Sequence, residues 1–286
     1  LTRTKDGPGE KIDRIMEDAS KALTGRRYFE AERLCVEAME AAHTAADYER
    51  MARICLPLQE SRRLKRQLAS DAGNFFVMDD QLPKPQSLQA GCYLVRPPRV
   101  GLDGRMLREM ADQQEVPVIV VTREPTTRLG QWPVVALGPV TIRAYVDPPV
   151  PQPKKKGKEK LAVATRHEAD SPETAIPPVE WFLAACEALG DAAIDSVDPA
   201  RPPAARVEEF WLRVQAHPDH EKLHQRLADA CMDALRAGPA AMPREIDELD
   251  EDLAEEDLDG ECEGEEEPRK RSRRGREAED QDESID

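Results

Sequence analysis

Apolar positions recur with a helical period through the first seventy residues. Ile12, Ile15, Met16, Ala19, Ala22 and Leu23 form one stripe, and Gly25 closes it. Tyr28, Ala31, Leu34, Cys35, Ala38 and Ala42 form a second. A third begins near Ala46 with Tyr48, Met51, Ile54, Cys55 and Leu58. Pro57 has no amide hydrogen and crowds the turn before it, so this helix is expected to kink there, with Leu64 and Leu68 on a re-phased face beyond. The short loops between the stripes imply antiparallel neighbours.

From Phe75 the period changes. Cys92–Val95 reads as a short buried strand, and Leu102–Gln114 as a helix whose stripe is Leu102, Met106, Leu107, Met110 and Ala111. Val116–Thr122 is a β-branched run and the strongest strand signal in the chain. Val134–Leu137 and Val140–Val146 follow as strands, separated by Gly138-Pro139. Strand, helix, strand with short connections implies a crossover and a parallel pair. Residues 74–147 are therefore expected to form a small α/β unit of four strands.

Residues 148–178 are rich in Pro and Lys, including Lys154-Lys155-Lys156-Gly157-Lys158, and read as a linker. The helical period then returns. Val179, Phe182, Leu183, Cys186 and Leu189 make one stripe, and Val207, Phe210, Trp211 and Val214 another. Pro218 is expected to start a third helix with Leu223, Leu227, Ala230, Cys231, Ala234 and Leu235 on its face, and Gly238-Pro239 to stop it. Three helices of this length make a minimal bundle, expected to dock on another element for stability.

The segment Gly25-Arg-Arg-Tyr28-Phe29-Glu-Ala31-Glu-Arg-Leu34-Cys35-Val-Glu-Ala38-Met39 resembles the second half of a tetratricopeptide repeat. The resemblance spans Lys11 to Leu68 and implies paired helices that approach closely at Ala31 and Ala38, as in a protein-binding array. The segment departs from the family pattern in three ways. One extra residue stands between Gly25 and Tyr28, the first helix has no Trp, and no clear tandem 34-residue period follows.

Charge changes the picture at one end. Residues 244–286 hold 21 acids and 7 bases, a net of −14 out of −16 for the whole chain. The rest is nearly neutral. Such a segment cannot bury enough apolar surface to order itself, so it reads as a disordered acidic tail. Ile246, Leu249, Leu253 and Leu258 are interspersed among its acids, and Arg269–Arg276 forms a compact cation. Nucleic-acid binding through that cation is expected to be weak and salt-sensitive, because the flanking acids compete for it. No apolar run approaches a membrane span, so no membrane partner is expected. Six cysteines lie far apart with no CxxC pair, the habit of buried thiols in a reducing compartment. That suggests a cytoplasmic location, and Asn74 as the single asparagine points to the coding bias of a GC-rich, bacterial genome.

Three sets of residues invite chemistry. Arg96, Arg99 and Arg123 follow strands, and Arg105 with Gly101 and Gly104 opens the crossover helix. A parallel sheet binds anions at that edge, which suggests an anion or nucleotide site. His220 and His224 are one helical turn apart, with Cys231 two turns on, a weak candidate for a metal. Tyr28 and the basic run Arg62, Arg63, Lys65 and Arg66 suggest a partner-binding surface. No catalytic motif and no cofactor fingerprint occurs.

The expected architecture is mixed α and α/β. Residues 10–70 form a helical hairpin or bundle, 74–147 a small α/β unit, 148–178 a linker, 179–238 a three-helix block, and 244–286 an acidic tail. The leading expectation for function is a non-enzymatic scaffold that docks another protein through helix surfaces, its association tuned by the tail. The alternatives are an anion- or nucleotide-binding α/β domain at Arg96, Arg99, Arg105 and Arg123, with enzymatic activity left open, and nucleic-acid association through the basic runs.

Overall fold

Two turns of one design connect the first three helices. In this computed structural model, which describes residues 7–149 and 176–238, helix α1 spans Pro8–Thr24, α2 Tyr28–Thr44 and α3 Tyr48–Asp71. Arg26 and Ala46 both take positive φ, 59° and 49°. The next amide in each case reaches back to the preceding helix, Arg27 N to Ala22 O and Asp47 N to Ala42 O, both at 2.9 Å. Gly25 itself has φ −76°, so the left-handed residue falls one position after the expected stop. A left-handed residue with a Cβ is strained. Ala46→Gly is therefore expected to raise stability by about 0.5 kcal/mol, the relief of strain less the extra chain entropy of glycine. Urea denaturation would measure it.

Alanines line the contacts between these helices: Ala19, Ala22, Ala31, Ala38 and Ala42 are all buried. Helix α3 continues without a break through Pro57. Beyond that proline its buried face is Leu58, Ser61, Arg62 and Ala69, while Leu68 is 45% exposed. The face mixes Leu58 and Ala69 with the polar Ser61 and Arg62, where Leu64 and Leu68 were expected to carry it.

The sheet has five strands in the order β1 to β5: Phe75–Met78, Gly91–Val95, Val118–Arg123, Trp132–Leu137 and Thr141–Val146. The first three run parallel and the last two join antiparallel. Helix α4 (Gly101–Gln113) makes the crossover between β2 and β3. The additional strand, β1, is four half-buried residues at the sheet edge. It is too short for its alternation to stand out.

One face of the sheet carries α4, with Leu107 and Ala111 packed on Tyr93 and Val95. The other face sends Cys92, Leu94, Ile119, Val121, Val134 and Ala136 into the main core. That core also takes residues from α3 and from α5 (Val179–Asp195), α6 (Pro203–Ala216) and α7 (Glu221–Ala237). Helices α6 and α7 form a hairpin, and α7 lies along α3. The C-terminal helices thus find their support on the N-terminal ones. Helix α7 begins at Glu221 rather than Pro218; residues 217–220 form the corner between α6 and α7, and Gly238 ends α7 at φ 72°.

Most of the linker 148–178, with its Lys run, and the whole tail 244–286, with its basic cluster, lie outside the described residues. No helix among the described residues is long and apolar enough to cross a membrane.

Candidate functional site

Residues 62, 65 and 66 share one face of α3 by helical spacing, and residue 63 points away from them. Arg62 is buried. Its Nε donates to Glu32 of α2 at 2.7 Å, and its Nη1 lies 3.0 Å from His224 Nε2 of α7. Lys65 bridges Glu32 and Asp112 of α4, and its ammonium sits 4.3 Å from the centre of the Phe29 ring. Arg66 donates to the Asp219 carbonyl at 2.8 Å and pairs with Glu221 and with Glu187 of α5. Arg63 pairs with Glu60 of its own helix. Three of the four cations are therefore an internal brace joining α2, α3, α4, α5 and α7, and do not form a free positive surface. Tyr28 is partly buried at the start of α2.

Burial alone would raise the Glu32 carboxyl. The charges of Arg62 and Lys65 outweigh it and hold the group down at about 2. Burial likewise pulls the Lys65 ammonium down, and Glu32 with Asp112 reverses this, leaving it raised.

Above this brace an open groove of about 720 Å³ runs between α2, α3 and α4. Phe29 and Val36 supply its apolar patches, and Arg33 crosses it to pair with Glu115 at 2.9 Å. Glu37 and Glu40 stand on its α2 rim, one turn apart, with no ion pair among the described residues. The groove is preformed, because its floor is the Glu32–Arg62–Lys65 network.

The α6–α7 corner carries three buried histidines. His217 Nε2 donates to the Cys186 carbonyl of α5 at 2.8 Å. An arginine can only donate, so His224 accepts from Arg62 at Nε2 and carries its hydrogen on Nδ1, which reaches the His220 carbonyl at 2.9 Å. His220 packs against Gly190 of α5. Its Nε2 lies 3.2 Å from Glu187 and 3.6 Å from Asp191, and neither ring nitrogen makes a hydrogen bond among the described residues. Burial, reinforced by Arg108, pushes His217 down to about 3; burial, reinforced by Arg62, does the same to His224. Burial also lowers His220, against the pull of Glu187 and Asp191.

The sequence-derived metal set is not brought together. His224 is committed to Arg62, Cys231 is buried in the helix interface, and no three suitable side chains converge among the described residues. The arginines at the strand ends are engaged separately. Arg96 pairs with Asp79, Arg105 with Glu109, and Arg99 with the Asp80 carbonyl and Asp103. Arg123 is buried with its guanidinium 4.4 Å from the Trp132 ring centre. The Asp103 carboxylate also accepts from the Val100 amide at 2.8 Å, so the start of α4 already has its own anion.

Gly101 and Gly104 face the sheet. A Cβ at Gly104 would fall 2.0 Å from Thr122 Oγ1, so this glycine lets α4 seat on β3. Gly104→Ala is expected to destabilise by about 1–3 kcal/mol through overpacking, measurable as a lower urea midpoint. The described cysteines are buried, and burial raises every thiol, Cys35 and Cys231 to about 12 and Cys92 to about 11. Such thiols are poor nucleophiles at neutral pH.

Among the residues that matter here, Glu32 and the groove rim carried no sequence signal. Arg62 and Lys65 did carry one, in the unbroken continuation of the α3 stripe through Leu58, Ser61, Arg62, Lys65 and Ala69. No family model matches the chain, and no curated protein or solved structure is significantly similar to it.

Proposed function

We propose that this is a non-enzymatic interaction protein that docks a basic segment of a partner protein in the groove between α2, α3 and α4. The observation that carries this reading is the preformed groove whose rim acids, Glu37 and Glu40, have no ion pair among the described residues. A rigid floor means that little ordering entropy is lost on binding. Lys or Arg side chains of an incoming peptide would pair with the rim acids while its apolar residues cover Phe29 and Val36. The N-terminal helical hairpins suit this role, as the resemblance to tetratricopeptide repeats implies. The acidic segment 244–286 has the same sign as the rim. It would draw the same partner in from a distance and raise the association rate more than it slows release. The buried, proton-locked thiols are what favours binding over nucleophilic chemistry.

The test is a fluorescence-anisotropy titration with equal-length basic, neutral and acidic peptides. The basic peptide is expected to bind best, to weaken with salt, and to lose at least about tenfold in affinity in Glu37→Lys/Glu40→Lys, since each charge pair reversed at a partly screened rim is worth about 1 kcal/mol. Equal binding of the three peptides, or an unaffected double variant, would refute the proposal.

A further inference from the structure

We propose that the His217–His220–His224 corner is a proton-operated clasp, and that proton uptake there releases the α6–α7 hairpin from α3 and α5 while the sheet stays folded. This inference does not need the groove to bind a partner, although Arg62 belongs both to the groove floor and to the corner.

The geometry sets each ring against a different neighbour of the hairpin. His217 fastens the corner to α5 through the Cys186 carbonyl, and His224 fastens α7 to α3 through Arg62. Both rings lie beside fixed cations. Arg62 and Arg66 face the corner from α3, and Arg108 from α4, where its guanidinium reaches the Ala216 and Leu137 carbonyls. The carboxylates facing the corner are Glu32 from α2, Asp112 from α4, and Glu187 and Asp191 from α5. Asp219, Glu221 and Lys222 come from the corner and α7.

A proton on His224 Nε2 would point at the Arg62 N–H, so that bond between α7 and α3 cannot survive it. Of the polar links described above, those of Arg66 to Glu221 and to the Asp219 carbonyl are then left to hold α3 to the hairpin. A proton on His217 Nδ1 would place a second buried charge near Arg108. His220 is the exception. Its proton would meet Glu187 and Asp191, but Glu187 is shared with Arg66. The hairpin is also the last described element of the chain. It contributes no strand, so its release leaves the hydrogen bonds of the sheet intact while uncovering the core it shares with α3 and the sheet.

The direction follows from linkage. Closed, His217 and His224 take a proton only near pH 3; freed, they take it below about 6.5. Between those values a falling pH favours the open state. From pH 7.5 to pH 5 each ring multiplies the opening equilibrium by about thirty, and the two together by about a thousand.

Segment-resolved hydrogen exchange on the full chain, corrected for intrinsic rates, tests this at pH 7.5 and pH 5. The expected result is that protection in α6 and α7 falls by at least about a hundredfold while β2, β3 and β4 change less than tenfold. Less than a tenfold change in α6 and α7 would overturn the proposal, and so would an equal loss everywhere, which is global acid unfolding. His217→Gln/His224→Gln keeps hydrogen-bonding groups at both places and removes the titration. It is expected to flatten the pH response, and a full response in that variant overturns the clasp. Ring nitrogen shifts in the wild-type chain supply a measure that does not depend on any variant folding. His217 and His224 must gain their protons over the same pH range in which α7 loses protection; rings that stay neutral through that loss contradict the proposal.

Discussion

Glu32→Gln is expected to cost about 3–5 kcal/mol at neutral pH, although the side chain keeps its size and can still hydrogen-bond. The carboxylate is what allows Arg62 and Lys65 to lie side by side in a nearly dry setting. Without its charge, Lys65 keeps Asp112 and Arg62 keeps only the neutral His224 ring. The size can be checked against the titration. A carboxyl held at about 2 instead of 4.5 contributes roughly 3 kcal/mol above pH 4.5, at about 1.4 kcal/mol per pH unit. Its folded-state value is depressed, so this stabilisation is complete above the unfolded value and is lost as pH falls from 4.5 towards 2. The gap between wild type and variant should therefore be constant from pH 7 to pH 5 and narrow below that. Urea unfolding at stepped pH measures it. A gap under 1 kcal/mol, or one independent of pH down to 2.5, would mean the brace is worth no more than an exposed ion pair.

Gly190→Ala is expected to destabilise by about 2–3 kcal/mol, against the usual sign for a glycine inside a helix. Replacing such a glycine with alanine ordinarily gains up to about 1 kcal/mol. At Gly190 the new Cβ would stand 1.9 Å from His220 Cγ and 2.2 Å from Cδ2. The ring is fully buried and cannot swing into solvent. Either the corner lifts off α5 or the helix shifts, and overpacking of this kind outweighs the propensity gain. In a His220→Ala background the obstacle is gone, so adding Gly190→Ala should there be neutral or stabilising. Denaturation midpoints of the two single variants and the double variant decide the matter. A stabilised Gly190→Ala protein would show that the ring has room to move.

Much of the architecture can be read directly from the chain, and the reasons are local. The stripes of α1, α2 and α7 are regular because each buries one face, so Ala31, Cys35 and Ala38, or Leu223, Leu227 and Cys231, recur at the helical period. Strands β2 to β5 show as β-branched or apolar runs between turn residues. What the pattern hides is burial that crosses between segments. The Arg62-Arg63-Leu64-Lys65-Arg66 run looks like a solvated positive face, because charge ordinarily marks exposure. Its partners Glu32, Asp112, Glu187 and Glu221 are dispersed over some 190 residues, and no local period links them. Arg123 misleads in the same way, reading as a strand-end cation while its guanidinium lies on Trp132. Gly104 reads as a ligand glycine in the sequence, whereas it and Gly190 each mark a place where a neighbouring side chain touches helix backbone.

The groove depends on a floor that is rigid because, with the histidine corner unprotonated, the helical ends and the sheet unfold as one body. Hydrogen exchange in rising urea at pH 7.5 tests that most directly. The slowest amides of α2, β2, β3 and α7 should converge on a single unfolding free energy and a single dependence on denaturant. If α1–α3 instead opened with its own lower free energy and a smaller dependence, the brace would not join the segments, and the account built on it would be contradicted.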